Sequence, residues 1–241
     1  MRQVDSWISE HERRMNKVAV FCEKEVAITI DSHTFMSGRI DKMYVTTDGK
    51  KEYLFVIDYK TSKESYHDTY VDYGFSLQLP IYAYFIKQDP QLNTYALSGL
   101  YIQPILLSQT SAKEESVALE SYAKAFRYQG LTIDEPTIIQ SFDDCAKEES
   151  VIAGSLFNQD GSFSSRAPIR NQAFFSQLDK RAEAMIKKAV THIRDNDFVI
   201  SPKTVTNTPP CQTCDFRHLC FRKETDIVRY EVVEKEEEND E

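Results

Sequence analysis

Glu52-Tyr53-Leu54-Phe55-Val56-Ile57-Asp58-Tyr59-Lys60-Thr61 is a β-branched and aromatic run, preceded by Asp48-Gly49-Lys50 and followed by a polar stretch, and it reads as a strand. Side chains alternate faces along a strand. Asp58 and Lys60 therefore project to one side, about 7 Å apart at a rise of roughly 3.3 Å per residue, while Ile57 and Tyr59 point the other way. The unbroken apolar stretch 54–57 is expected to be buried on both faces. The charged pair then emerges at the end of a central strand, where open α/β sheets place their sites.

Residues 35–44 are β-prone, and Thr46-Thr47-Asp48-Gly49-Lys50 supplies an Asp-Gly turn that joins them antiparallel to the Asp58 strand. Gly38-Arg39-Ile40-Asp41 lies in this second strand. With paired strands roughly 4.8 Å apart, the ladder can bring Asp41 and Asp58 within reach of one cation. Residues 18–30 offer a further strand with Val26, Ile28 and Ile30 on one face, and Glu23 and Glu25 read as exposed strand-edge groups. Downstream, Gln78-Leu79-Pro80-Ile81-Tyr82 sets Gln78 and Tyr82 four apart, on one helical face. Pro80 has no N–H and is tolerated only in a first turn, so the helix is expected to start near Leu79 with Gln78 as its cap. Two carboxylates and a lysine are what metal-dependent phosphodiester cleavage needs. The carboxylates hold a divalent cation that polarises the phosphoryl oxygen and lowers the pKa of an attacking water, and the ammonium orients that water or offsets developing charge.

The order G-x-x-D, D-x-K, Q-x-x-x-Y resembles the PD-(D/E)XK nuclease superfamily, in its RecB-like branch, with Asp58-Tyr59-Lys60 standing where that family has its (D/E)-x-K. Near the C-terminus, Cys211-Gln212-Thr213-Cys214-Asp215-Phe216-Arg217-His218-Leu219-Cys220 is C-x2-C-x5-C, similar to the cysteine cluster of AddB-type helicase-nuclease subunits and of CRISPR-associated RecB-like nucleases. The resemblance covers about residues 8–225. It implies an α/β, restriction-endonuclease-like mixed sheet flanked by helices. It also implies Asp41 and Asp58 as ligands of Mg2+ or Mn2+, the Tyr59 backbone carbonyl as a further ligand, Lys60 as the catalytic lysine, and Gln78 and Tyr82 as contacts to DNA or braces of the site. Residues 1–228 are then expected to form one nuclease domain, closest to the C-terminal nuclease domain of AddB-type helicase-nuclease subunits. Its work would be exonucleolytic processing of single-stranded DNA ends beside the other subunit of an AddAB-type complex, in double-strand-break repair. A stand-alone CRISPR-associated nuclease and a non-catalytic DNA-binding or scaffolding module of the same fold are the alternatives.

Five cysteines, an odd number with three clustered, argue against a disulfide framework and for a metal or cluster site in a reducing compartment. Thiolates at C-x2-C spacing suit zinc, while the resemblance favours a 4Fe-4S cluster, which needs four cysteinyl ligands. Cys22 and Cys145 are the remaining thiols and read as small buried residues. In the family the first cysteine lies well upstream of the nuclease motifs, so the resemblance implies a fourth ligand in a longer protein of which this chain is a C-terminal portion. The family's upstream histidine or glutamate is likewise not found, and His11, within Glu10-His11-Glu12-Arg13-Arg14, reads as a surface histidine.

At 241 residues and 41% hydrophobic content the chain can bury one enlarged core. No apolar run is long enough to span a membrane and the first residues lack signal-peptide character, so a cytoplasmic protein with no membrane partner is expected. The formal charge of -9 runs against DNA binding, but residues 229–241 are a strongly acidic run that reads as a disordered tail. Binding is then expected to use a local groove drawing on Lys60, Lys63, Lys87, Arg166 and Arg170. No G-x-x-x-x-G-K-[ST] occurs, so ATP-driven unwinding is assigned to a partner. Residues 95–107 read as a fourth strand, 116–119 and 124–131 as further β structure, 136–145 as a short helix and 154–170 as a loop. Residues 171–194 are the clearest helix, with Phe174, Leu178, Met185, Ala189 and Ile193 as its core stripe.

Overall fold

The computed structural model describes residues 2–61, 66–105, 124–147, 150–152, 156–205 and 210–231. Lys63, the expected strand at 116–119 and the acidic run from 232 onward lie outside the described residues. Helix α1, Arg2–Arg13, precedes a meander of three long strands, β1 Ala19–Asp31, β2 Thr34–Thr47 and β3 Glu52–Lys60. Helix α2, Gln78–Gln88, crosses to β4, Ala96–Pro104. Strand β5, Gln129–Ile133, helix α3, Pro136–Phe142, the short β6, Ile169–Arg170, and the long α4, Gln172–Arg194, follow. A two-residue pair, β7 Lys203–Thr204 with β8 Val228–Arg229, closes the described chain.

The sheet runs β1-β2-β3-β4-β5-β6. Its first two pairings and β4–β5 are antiparallel, whereas β3–β4 and β5–β6 are parallel, giving the expected mixed sheet. β3 lies in its centre, and 53–58 are all buried. The β2–β3 turn works as its sequence suggests. Gly49 takes a left-handed φ of 85°, and the Asp48 carboxylate accepts the amides of Lys50 and Lys51 at 2.8 Å each and the Tyr53 hydroxyl at 2.8 Å. Those bonds, the Lys51 amide foremost, hold the Asp48 carboxyl down at about 2.

Helices cover both faces. On one, Phe142 of α3 stacks on Phe55 of β3 with ring centroids 4.0 Å apart, and Thr46 of β2 donates to the Ser141 carbonyl at 2.8 Å. On the other, α2 packs against α4 and lies so close over β2 that a Cβ at Gly38 would come within 2.6 Å of Cε2 of the fully buried Phe85. The glycine of the G-x-x-D motif is therefore a packing requirement of α2.

Four expectations are corrected. The core stripe of α4 is Phe175, Leu178, Ala182 and Ile186, and Ile193 is 61% exposed. This helix carries apolar residues on adjacent stripes, so spacing alone left its rotation open. Docking on α2 buries the Phe175 side, while Phe174 turns to Arg170, whose guanidinium lies 5.4 Å from its ring centre. Gln78 is the first helical residue and Leu77 the cap, its carbonyl accepting from Ile81 at 2.9 Å. Pro80 still falls in the first turn, where a missing N–H costs nothing. Cys22 is exposed on β1, the outermost strand of the sheet, and Cys145 is only partly buried. The β structure expected over 124–131 begins at Gln129, Lys124 being helical.

Candidate active site

The ladder between β2 and β3 ends at Lys42 opposite Ile57. The next register position pairs Asp41 with Asp58, where the strands part. On the outer side, Cys22 pairs with Lys42 and Lys24 with Ile40, so Glu23 faces Asp41, and Glu23 takes a left-handed φ of 51°. At this break in β1, Glu23 and Arg39 form a solvent-exposed ion pair at 2.8 Å. Opening of the ladder frees backbone groups at the end of β3, and the Tyr59 amide donates to Oδ2 of Asp41 at 2.9 Å. An extended residue turns its N–H and C=O to the same edge, so the Tyr59 carbonyl faces the Asp41 side too.

Asp58 is 1% exposed. Its Oδ1 accepts Gln78 Nε2 at 2.5 Å and the Tyr82 hydroxyl at 2.9 Å. Its buried Oδ2 meets the Lys60 ammonium at 2.8 Å and takes no other hydrogen bond. Gln78 also accepts from Lys60 through Oε1 and donates to the Tyr82 hydroxyl at 2.9 Å. All five side chains the sequence singled out, Asp41, Asp58, Lys60, Gln78 and Tyr82, thus gather where β2 parts from β3 under the first turn of α2. Burial pushes the Asp58 carboxyl above the usual carboxylate range and the nearby Asp41 adds to this, against the pull of Lys60 and Tyr82. Burial likewise raises the Tyr82 phenol, so it stays a donor. A buried carboxylate with spare acceptor capacity, a second carboxylate beside it and a carbonyl on the same edge form an all-oxygen donor set that fits a hard divalent cation.

One element on the opposite face escaped the sequence reading. Glu12 of α1 binds the Lys42 ammonium and accepts the Tyr44 hydroxyl at 2.8 Å. Burial opposes its charge, but Lys42 and Tyr44 prevail and hold its carboxyl low. The G-x-x-D strand is thereby tied to the N-terminal helix from behind. Only the helical spacing of α1 against the alternation of β2 could have signalled this pairing.

The cysteines behave differently. Cys211 and Cys220 are half-buried, Cys214 is exposed, and among the described residues no three His, Cys, Asp or Glu side chains are gathered in a way that could hold a metal ion. The trio as placed does not fit an iron-sulfur cluster or zinc. The expected basic groove is also not assembled as named: Lys87 lines a cavity between α2 and α4, and Arg170 is committed to Asp68 at 3.2 Å.

Residues 2–221 match the PD-(D/E)XK nuclease superfamily. Among curated proteins the chain is similar to the ATP-dependent helicase/deoxyribonuclease subunit of the B type from Desulforudis audaxviator, 28% identical over 196 residues, which is 77% of this chain and 16% of that protein. The same-named protein of Listeria monocytogenes is 24% identical over 209 residues, 81% of this chain and 18% of that one. That of Thermoanaerobacter sp. is 23% identical over 239 residues, 96% and 21% respectively. The chain therefore spans about a fifth or less of the length of these relatives. No helix among the described residues is long and apolar enough to cross a membrane.

Proposed function

As the chain belongs to the PD-(D/E)XK nuclease superfamily, we propose that it is the Mg2+- or Mn2+-dependent deoxyribonuclease domain of a helicase-nuclease complex, cleaving single-stranded DNA ends in double-strand-break repair. The observation that carries this reading is the convergence of Asp41, Asp58, Lys60, Gln78 and Tyr82 where β2 and β3 separate. Asp41, Asp58 and the Tyr59 carbonyl would hold the cation. A divalent ion bound there supplies Lewis-acid polarisation of the phosphoryl oxygen and a more acidic attacking water. Lys60 carries a positive charge beside the reacting group, where it orients the water and offsets charge building on phosphorus. Gln78 fixes both partners of the Asp58–Lys60 pair, and the Tyr82 hydroxyl keeps Asp58 in its rotamer. The nuclease domain runs through Tyr230 rather than stopping at 228, since Arg229 lies in β8 and Tyr230 stacks on Tyr73, and the acidic run follows it. Cys211, Cys214 and Cys220 enter no step of the chemistry. The names of the relatives support DNA as substrate and a helicase-bearing setting, and we place the domain in a cytoplasmic AddAB-type complex with unwinding supplied by a partner.

The test is cleavage of an end-labelled oligonucleotide by the purified domain. Product is expected with Mg2+ or Mn2+, none in EDTA, and strand affinity falling steeply as salt rises, because phosphate contacts dominate the binding of an acidic protein to DNA. Cleavage that persists undiminished in EDTA overturns the metal-dependent reading.

A further inference from the structure

A groove of about 510 Å³ opens between α4, the β7–β8 pair and the segment leading into α2. Its apolar and aromatic surface comes from Leu77, Met185, Val199 and Tyr230, and its cations are Lys188 and Lys203. Leu77 immediately precedes Gln78, about 3.8 Å along the backbone, so one end of the groove adjoins the carboxylate site of Asp58. Tyr230 is packed in place. Its ring stacks on Tyr73 with centroids 4.4 Å apart, and Lys203 lies 5.9 Å from its centre while donating to the Tyr73 carbonyl at 3.3 Å. Lys188 is exposed and has no ion-pair partner among the described residues. The one acid in the lining, Asp197, is bonded by Nδ1 of His192 at 2.7 Å, so the two ammonium groups outnumber it. Next to Val199 the apolar surface continues beyond the rim with Phe198, 70% exposed.

We infer that this groove is the track for a single DNA strand on its way to Asp41 and Asp58, an inference that rests on the nuclease reading above. An aromatic plate and apolar floor beside unneutralised ammonium groups match unstacked bases with their phosphates. A duplex offers its phosphates but no free base face, and would leave the floor unused. The volume lies within the range of about 300–1,000 Å³ typical of small-molecule sites, room for a nucleotide or two of a strand that continues past the rim. The net positive lining stands out on a chain of charge -9. These are the cations that sequence spacing could not find, since α4 and β7 meet only in the fold.

The experiment measures anisotropy of a fluorescein-labelled oligo(dT) strand in EDTA, so that nothing is cleaved. K188E/K203E is expected to bind at least tenfold more weakly, with a salt slope lower by about two. Lys188→Glu alone, on the exposed face of α4, gives part of this loss without touching the fold. Tyr230→Ala weakens binding about tenfold, and an iodouracil-bearing strand crosslinks to Tyr230. K50E/K51E, an equal charge change at the exposed β2–β3 turn, stays within twofold of the parent. Equal losses in both lysine pairs, less than twofold loss in K188E/K203E, or crosslinks confined to other surfaces would overturn the assignment. Cleavage that proceeds while strand affinity ignores K188E/K203E fails the groove alone. A strand held in the groove with no metal-dependent cleavage fails the nuclease reading alone.

Discussion

Asp58→Ala is expected to lower cleavage by on the order of a thousandfold while the domain stays folded, because several kcal/mol of transition-state stabilisation depend on that carboxylate and each 1.36 kcal/mol is tenfold. Asp58 is the hub of the site: Lys60, Gln78 and Tyr82 all bond to it. Removing it takes away one of the two proposed carboxylate ligands of the cation and the partner that the Lys60 ammonium and the Gln78 amide share. Asp41→Ala and Lys60→Ala should each fall nearly as far. Residues that act as one unit are non-additive, so the Asp41→Ala/Asp58→Ala double variant is expected to be no worse than the weaker single one. Cleavage rates for the three singles and the double, with thermal melts to check folding, decide it. Multiplying losses in the double variant would mean that the two carboxylates do separate work.

The second large effect is on stability. Phe142 is fully buried, stacked on Phe55 at 4.0 Å, with Tyr44 at 6.1 Å and Tyr101 at 6.4 Å. Truncating it to alanine removes the one ring through which α3 grips the back of β3, and deep Phe→Ala changes cost about 3–5 kcal/mol. For a domain of this size that corresponds to a fall in Tm of roughly 6–20 °C. Phe142→Leu keeps most of the volume and should cost about 1.5 kcal/mol or less. Urea titrations of both variants measure this, and a loss under about 1 kcal/mol for Phe142→Ala would show that the aromatic stack is not part of the core.

The site was legible because its signals are local. Alternation along 52–60 placed Asp58 and Lys60 on one face, the Asp48-Gly49 turn set the register that brings Asp41 opposite Asp58, and Pro80 placed the start of α2 to within a residue. What escaped depends on contacts between distant segments. The rotation of α4 is decided by its docking on α2, the exposure of Cys22 by the place of β1 at the edge of the sheet, and the pairing of Glu12 with Lys42 by how α1 lies behind the sheet. The groove residues Lys188 and Lys203 belong to elements with no sequence relation to the catalytic motifs. The cysteine spacing is as legible as the D-x-K, yet spacing states only that three thiols could meet, and here they do not gather into a metal-holding group.

The central claim is that Asp41 and Asp58 share one cation which Lys60 attends without ligating. Titration of Mn2+ into the purified domain, followed by loss of the free-ion paramagnetic signal, tests it most directly. The prediction is a bound Mn2+ in the parent, binding lost in both Asp41→Ala and Asp58→Ala, and binding kept or tightened in Lys60→Ala, where the ammonium no longer competes for Oδ2 of Asp58. Mn2+ bound as well by Asp58→Ala as by the parent would contradict the account.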